Sequence, residues 1–458
     1  MSGLSTCFNV PALRAVAVAS VVCCAGLASA QGTGSSTVTL YGIADIGYTQ
    51  VTGLKAGTVS QIASGIMEGS RWGLKGSEDL GGGYKTIFTL ENRFELDTGA
   101  ISSRPISGSQ LSDRFSQASL LGLPTDAQYQ AGIVRQGATQ AQAMALFPNG
   151  TMQGTVSKVA GALASEGFGV NVGTYGNRMF DRQAYVGLIT PFGAILAGRM
   201  YTPAFETNAT YDIMETQSGL SAGQVVAFPA VLEIRKSNSL AYRFVKDGMS
   251  GSLMYSYGDA GESAGNSSRM MGLNANYKTG GFSVGFGHNT ANNEFGQKSL
   301  TTSALGASMD NGSDKVSGMI ITMKDDNPSG FSAISPLIKA SGGTDAFANL
   351  IQTTFVNAFK QDGTLYHIGY RRTTGPHAVS LAFTSYNDKT AANADVKSYG
   401  VAYSYALSKR TDLNAVLVRF DNSANSQLAP GGNGYIGGVT ASAGTDSTGL
   451  AFGVRHRF

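Results

Sequence analysis

Apolar and polar side chains alternate along most of the chain, in runs of about ten residues separated by turns rich in Gly, Asp and Asn. The clearest run is residues 84–96. One face carries Tyr84, Thr86, Phe88, Leu90, Phe94 and Leu96. The other face carries Lys85, Thr89, Glu91, Arg93 and Glu95. A period of two predicts a β-strand with one apolar and one polar face. One face of such a strand suits lipid and the other suits water.

Sixteen segments follow this pattern. They are Val38–Gln50, Arg71–Ser77, Tyr84–Leu96, Arg178–Ile189, Ala194–Met200, Ser239–Lys246, Ser250–Gly258, Met270–Lys278, Phe282–Asn289, Leu300–Met309, Lys315–Lys324, Thr364–Arg372, Ala378–Asn387, Lys397–Leu407, Asp412–Phe420 and the C-terminal strand. An even number of antiparallel strands, with short turns at one end and long loops at the other, is typical of a transmembrane β-barrel. We therefore predict an all-β, 16-stranded antiparallel transmembrane barrel formed by one domain, residues 31–458. A large β-sandwich or propeller is the soluble alternative.

The last strand ends at the final residue of the chain. Phe452, Val454, His456 and Phe458 share its apolar face, and Arg455 and Arg457 lie on the other. In sequence and parity this strand resembles the C-terminal strand of outer-membrane barrels, whose final Phe forms part of the signal read by the barrel-assembly machinery. The alternative is an ordinary edge strand of a soluble sheet.

The N-terminus predicts export. Arg14 is the only charged residue among the first thirty, and it precedes an apolar segment, Ala15–Leu27, and then Ala28-Ser29-Ala30. This pattern indicates a signal peptide, residues 1–30, cleaved after Ala30. All three cysteines lie within it, so disulfides are not expected in the mature chain. Cleavage leaves 32 Lys+Arg (33 − 1) against 30 Asp+Glu, and this near balance argues against nucleic acid as a partner.

Several motifs carry a family resemblance. They are Val38-Thr39-Leu40-Tyr41-Gly42, Gly76-Ser77-Glu78-Asp79-Leu80-Gly81-Gly82-Gly83, Arg182-Gln183-Ala184-Tyr185-Val186-Gly187-Leu188, Leu407-Ser408-Lys409-Arg410-Thr411-Asp412-Leu413 and Arg455-His456-Arg457-Phe458. Together they resemble the general porins of betaproteobacterial outer membranes. The resemblance implies a homotrimeric outer-membrane channel for ions and small hydrophilic solutes, embedded among outer-membrane lipid and lipopolysaccharide. It also implies that the third loop folds inward and narrows the pore.

That constriction loop corresponds to residues 201–234. Its acidic residues are Glu206, Asp212, Glu215 and Glu233. Parity predicts that arginines face the lumen opposite it, and these are Arg71, Arg93, Arg182, Arg199, Arg235 and Arg243. By resemblance, Arg71, Arg182 and Arg235 occupy the positions of the family's basic cluster. The excess of arginines over acids at this predicted constriction favours a weak preference for anions. The alternative for each arginine is a wall charge paired with a neighbouring acid.

Two loops are unusually long. Residues 98–177 form an insertion in which Leu120–Leu146 could include short helices, while Gly150–Tyr175 is poorly patterned. Residues 325–363 form a second long outer loop, with a helix expected in Ala346–Lys360. We interpret the insertion as an extracellular flap or subunit latch, with a plug that changes pore size as the alternative.

An enzyme is not predicted. The four histidines, His288, His367, His377 and His456, lie in different segments, and none accompanies a nucleophile motif. No paired ligand spacing indicates a metal, and passive diffusion needs no cofactor. Two further functions stay open: a substrate-selective channel of the sugar type, and a closed-lumen barrel that presents its loops as an adhesin or structural protein.

Overall fold

The computed structural model describes residues 36–101, 111–165, 179–214, 234–258, 267–431 and 439–458. Within these ranges, seventeen strands form one antiparallel sheet. They are β1 Ser36–Leu54, β2 Gly57–Ser64, β3 Arg71–Gly81, β4 Tyr84–Arg93, β5 Gln183–Thr190, β6 Gly193–Tyr201, β7 Arg235–Lys246, β8 Met249–Ser256, β9 Met270–Thr279, β10 Phe282–Asn292, β11 Lys298–Asp310, β12 Asp314–Asp325, β13 Gln361–Thr374, β14 His377–Asp388, β15 Val396–Ala406, β16 Thr411–Asn422 and β17 Ser447–Arg457. Short turns connect the strands at one end and long loops at the other, as predicted. The proposed signal peptide lies outside the described residues.

The sheet closes on itself through β1 and β17. Their register runs from Ile43 opposite Arg457 to Val51 opposite Gly449, while β17 also pairs with β16. At the terminus, the Phe458 amide donates to the Gly42 carbonyl and the Gly42 amide donates to the Phe458 carbonyl. Pairing of β1 with β17 joins the two ends of the sheet into a ring, which is how a sheet spans a membrane.

Strands β2 and β3 share one position in the barrel. Both are antiparallel to β1, β3 along Ser36–Ile43 and β2 along the half beyond it. Seventeen strands therefore occupy sixteen positions, and the predicted fold class is confirmed. Strand β2 was not predicted, because its two largest apolar residues, Val59 and Ile62, lie an odd number of positions apart and so on opposite faces.

Residues 65–70, here called the lumenal turn, connect β2 to β3 and are buried throughout. The Asp45 carboxylate accepts the backbone amides of Ile66, Met67 and Glu68 at 3.0, 2.9 and 2.8 Å. The Ile66 side chain faces Gly453, where an added Cβ would lie 3.0 Å from it. Because Gly453 has the inward parity of Arg455, while Phe452 and Val454 are exposed outside, the turn lies inside the barrel.

The outward face is apolar. On β15, Tyr399, Val401 and Tyr403 are 44, 43 and 38% exposed, whereas the alternate residues Ser398, Ala402 and Ser404 are buried. This matches the predicted alternation of a lipid face and a lumen face. Within the described ranges, none of the helices has the length and apolar character needed to cross a membrane.

The described residues include seven helices. They are α1 Asp113–Ser116, α2 Asp126–Arg135, α3 Gln140–Leu146, α4 Thr151–Ser165, α5 Pro203–Tyr211, α6 Ile334–Lys339 and α7 Asp345–Ala358. All except α5 belong to the two long loops, and we call these six helices the helical cap. Helices α2, α3 and α7 agree with the predicted helical segments.

The prediction that Gly150–Tyr175 is poorly patterned is wrong for its first part, because α4 begins there. Its buried residues Met152, Val156, Val159 and Leu163 follow the spacing of one helix face, which the intervening Gly and Ser residues obscure in sequence.

Candidate pore constriction

Helix α5 lies inside the barrel against the inner faces of β9 to β12. Glycines line the part of the wall on which α5 packs, here called its seat. An added Cβ on Gly287 would lie 2.8 Å from the Pro203 carbonyl oxygen, and one on Gly306 would lie 2.2 Å from the Tyr211 ring. Their strand neighbours Phe286 and Leu305 point outward and are exposed. Only residues without a side chain allow the helix backbone to approach the wall so closely.

Polar contacts fix α5 in this seat. The Ala204 amide donates to Asn289 Oδ1 at 3.2 Å, and the Ser317 hydroxyl donates to the Tyr211 carbonyl at 2.7 Å. The Glu206 carboxylate accepts from Asn274 at 3.0 Å and from Arg243 at 2.5 Å. The predicted constriction residues Glu206 and Arg243 therefore form an ion pair between the helix and the wall.

A group of charged and aromatic residues, here called the arginine arc, faces the lumen around Glu91 on β4. The Arg182 Nε donates to Glu91 Oε1 at 2.7 Å, and the Tyr41 hydroxyl donates to Oε2 at 3.1 Å. Arg182 also donates to the Tyr201 hydroxyl at 2.9 Å, as Arg235 does at 3.1 Å. The Arg235 guanidinium lies 4.6 Å from the centre of the Tyr201 ring, within the range of a cation–π contact.

Arg71 extends the arc toward the lumenal turn. It contacts the Gly69 carbonyl at 2.9 Å and Glu68 at 3.3 Å, and the register places its neighbour Gly73 opposite Glu91. The structure thus brings Arg71, Arg182 and Arg235 to one side of the lumen. Two of the partners that hold them there, Glu68 and Tyr201, were not predicted from sequence. Glu68 lies only three positions before Arg71, but in the lumenal turn, where strand alternation does not apply, and Tyr201 lies 19 and 34 positions from Arg182 and Arg235.

Arg93 and Arg199 meet Asp181 rather than Glu91. Arg93 Nε lies 3.9 Å from the Asp181 carboxylate, and Arg199 Nε donates to the Asp181 carbonyl at 2.6 Å. Arg199 shares the parity of Ile195, which is exposed outside, and not that of the buried Ala194. The inward parity predicted for Arg199 is therefore wrong, because the strand's alternation places its Cα on the outer side.

Asp212 follows α5 directly. Its carboxylate lies 3.9 Å from His367 Nε2, and that same nitrogen accepts the Ile213 amide at 3.4 Å. Asp212 therefore also lies against the barrel wall, where it faces His367 of β13. Glu215 and Glu233, the other acids predicted in this loop, fall outside the described residues.

A second charge network lies between β16, β17 and the lumenal turn. Arg455 donates to Asp412 at 3.0 Å and to Glu68 at 2.9 Å, and Arg457 contacts the same two acids at 2.9 and 3.1 Å. The sequence placed Arg455 and Arg457 on the polar face of the closing strand but gave no indication of their acidic partners.

Comparison with known proteins places this barrel in a family. A family model described as Gram-negative porin matches residues 15–425. The chain belongs to the Gram-negative porins. An outer membrane porin protein of Bordetella pertussis is 38% identical over 89 residues, which are 16% of this chain and 22% of that protein. The match therefore spans less than two thirds of that relative.

Solved structures share the porin fold. An anion-selective porin from Comamonas acidovorans has a TM-score of 0.60 at 22% identity, covering 93% of this chain and 100% of its own. A loop L8 deletion mutant of OmpT, an outer membrane protein of Vibrio cholerae, has a TM-score of 0.53 at 11% identity, covering 92% of this chain and 99% of its own.

The helical cap of this porin reaches into the mouth of the barrel. Arg114 of α1 lies 3.6 Å from Asp388, which has the inward parity of β14. Phe115 of α1 stacks on Phe359, which follows α7, with ring centres 4.2 Å apart. These rings belong to one buried apolar cluster with residues of inward parity on the wall. The wall residues include Ile321, Leu365, Val396, Val416, Val418 and Phe420.

Two acidic residues, Glu95 and Asp97, border the same mouth of the porin. Glu95, just beyond β4, is 2% exposed, and burial raises the pKa of its carboxyl to about 8. Arg93 opposes this rise, while Asp97 and Asp181 add to it. Burial also raises the pKa of Asp97. Glu95 is therefore held in the protonated form at neutral pH.

Proposed function

We propose that this porin forms a water-filled channel for the passive diffusion of ions and small hydrophilic solutes, with a weak preference for anions. The arginine arc is the observation that carries this proposal. Arg71, Arg182 and Arg235 stand together against Glu91, and Glu68 pairs with Arg71, so three positive charges face two negative charges. Guanidinium groups stay charged at any working pH, so the arc keeps its excess positive charge.

Glu206 of α5 and Asp212, which follows the helix, offset this excess only in part. Glu206 is paired with Arg243, and Asp212 faces His367. Arg243 therefore neutralises Glu206, whereas the His367 ring gives Asp212 a positive partner only when it is protonated. The excess positive charge of the arc is then opposed mainly by Asp212. Charged groups lining a slot bias which ions enter it. Passive diffusion through such a slot requires neither catalysis nor a cofactor.

The same proposal includes the setting of the channel. We place it as an integral protein of the outer membrane, exported by a signal peptide cleaved after Ala30 and assembled as a homotrimer among lipid and lipopolysaccharide. The apolar outer face supports the lipid contact. Phe452, Val454, His456 and Phe458 lie on the outward parity of β17, which supports their role as the signal for the assembly machinery.

Single-channel recording tests the proposal. The purified, detergent-extracted protein is inserted in a planar bilayer with a salt gradient across it. We expect large ohmic conductance steps, with channels that close in groups of three. The reversal potential should have the sign expected when chloride permeates faster than potassium. Folded protein that gives no conductance would refute the channel, and a reversal potential of the opposite sign would refute the anion preference.

The helical cap favours a second, related function, that of a partly plugged channel. The cap covers apolar residues of inward parity on β12 to β17, which would otherwise face water. Replacing residues 98–177 by a short Gly/Ser linker should therefore raise the conductance. If these residues are instead a subunit latch, their removal should weaken the trimer. If they act as an adhesin, their removal should abolish surface binding and leave the conductance unchanged.

A further inference from the structure

Glu68 is an acid placed among arginines at the inner wall of the barrel. Its Oε1 lies 3.3 Å from Arg71 of β3, and its Oε2 lies 2.9 Å from Arg455 and 3.1 Å from Arg457 of β17. The three guanidiniums come from the two ends of the chain. Glu68 is the only carboxylate, within the described residues, that has ion pairs to both β3 and β17.

The lumenal turn holds this carboxylate in place. Asp45 accepts three consecutive backbone amides of the turn, including that of Glu68 itself, and the Ser70 hydroxyl donates to the Asp45 carbonyl at 3.0 Å. Ile66 packs over Gly453 on the wall. With its backbone anchored on both sides and its carboxylate engaged by three donors, Glu68 has a fixed position relative to the slot.

The network has a small net charge that depends on Glu68. Arg71, Arg455 and Arg457 contribute three positive charges, and Glu68 and Asp412 contribute two negative charges, which leaves +1. Without the Glu68 charge the same network carries +2. The Arg457 side chain is 31% exposed, so the network borders water and its charge acts on ions that pass.

We propose that Glu68 is a specificity-determining residue that limits the anion preference of the pore by neutralising arginines on β3 and β17. This inference rests on the proposed channel function. It adds a second control of ion preference, next to the arginine arc and connected to it through Arg71. The lumenal turn that carries Glu68 interrupts a barrel strand, so one carboxylate reaches arginines of both β3 and β17.

Glu68→Gln tests the inference by removing the charge while keeping the shape. A unit charge about 8 Å away in water changes the local concentration of a monovalent ion by about twofold, with opposite sign for anions and cations. We therefore expect the chloride-to-potassium permeability ratio, obtained from reversal potentials in 0.1 M salt, to rise about two- to fourfold. The rise should shrink at 1 M salt, where screening is stronger.

Glu78→Gln is the matched control. It removes the same charge from an exposed residue on the same strand, about 23 Å from Arg71 along β3, which is beyond the screening length of about 10 Å at 0.1 M salt. We expect its permeability ratio to equal that of the wild type. A rise in this variant equal to that in Glu68→Gln would overturn the assignment to the lumenal turn.

Rescue separates a charge effect from damage to the fold. In the Glu68→Gln background, Arg71→Gln returns the network to +1, so the permeability ratio should fall back toward the wild-type value. Asp412 still pairs with Arg455 and Arg457 in both variants, and heat-modifiable migration on gels checks that the barrel is folded. Unchanged ion preference in folded, conducting Glu68→Gln would refute this inference alone, whereas a silent wild type would refute the channel itself.

Discussion

Replacing Arg182 by Gln should both destabilise the barrel and reduce its anion preference. The Arg182 side chain is 2% exposed and its Nε lies 2.7 Å from Glu91 Oε1. The substitution leaves Glu91 with the Tyr41 hydroxyl and with the more distant charges of Arg71 and Arg235. It also removes one of the two donors to the Tyr201 hydroxyl.

The expected magnitude follows from this burial. Removing one member of a buried ion pair costs about 3–5 kcal/mol, because the other charge is left buried without its partner. The remaining contacts of Glu91 place Arg182→Gln near the lower limit, about 3 kcal/mol. Glu91→Gln should cost a similar amount. In the double variant the two amides can bond to each other, so the combined loss should fall about 2 kcal/mol short of the sum of the single losses.

Urea unfolding of the barrel in lipid vesicles measures these free energies. The single tryptophan, Trp72, lies on β3 and reports unfolding by its fluorescence. Bilayer recordings of the same variants should show a lower chloride-to-potassium ratio for Arg182→Gln and a higher one for Glu91→Gln. Additive losses in the double-mutant cycle, with a coupling energy under about 0.5 kcal/mol, would show that this ion pair does not organise the arc.

Other variants test other parts of the molecule. Gly306→Val places methyl groups where the Tyr211 ring lies, so α5 should shift toward the lumen and single-channel conductance should fall; an unchanged conductance would contradict the described seat. Asp45→Asn weakens three bonds to the lumenal turn and should cost about 1–3 kcal/mol in the same urea assay. Burial raises the pKa of Glu95 from 4.5 to about 8, so stability should fall as pH rises from about 4.5 to about 8, where only the unfolded chain ionises, and Glu95→Gln should flatten that slope. Phe359→Ala removes a ring that stacks on the cap and should make the cap more sensitive to protease while the barrel stays resistant.

Local pattern was sufficient to predict most of the barrel. The side-chain period of a strand is two, so the sequence of β15 or β17 fixes which residues face lipid without any knowledge of their neighbours. The turns between strands are equally local, since they depend on Gly, Asn and Asp residues within a few positions. For the same reason the prediction failed where the pattern is weak, as in β2 and α4. Arg199 was assigned to the wrong face of β6, because the alternation of that strand places it with the exposed Ile195.

Contacts between distant segments required the tertiary structure. Glu68 and Arg455 are 387 positions apart, and they meet because closure of the barrel places β1, and with it the lumenal turn, beside β17. Likewise, the composition of the two long loops indicated helices but not that Phe115 and Phe359 would stack inside the mouth. Alternation along a strand determines the face on which a residue lies, whereas ring closure and loop packing determine its partner. By itself the sequence therefore determined the barrel and its lipid face, while only the tertiary structure decided which arginines lie together, which acids neutralise them and how far the loops enter the pore.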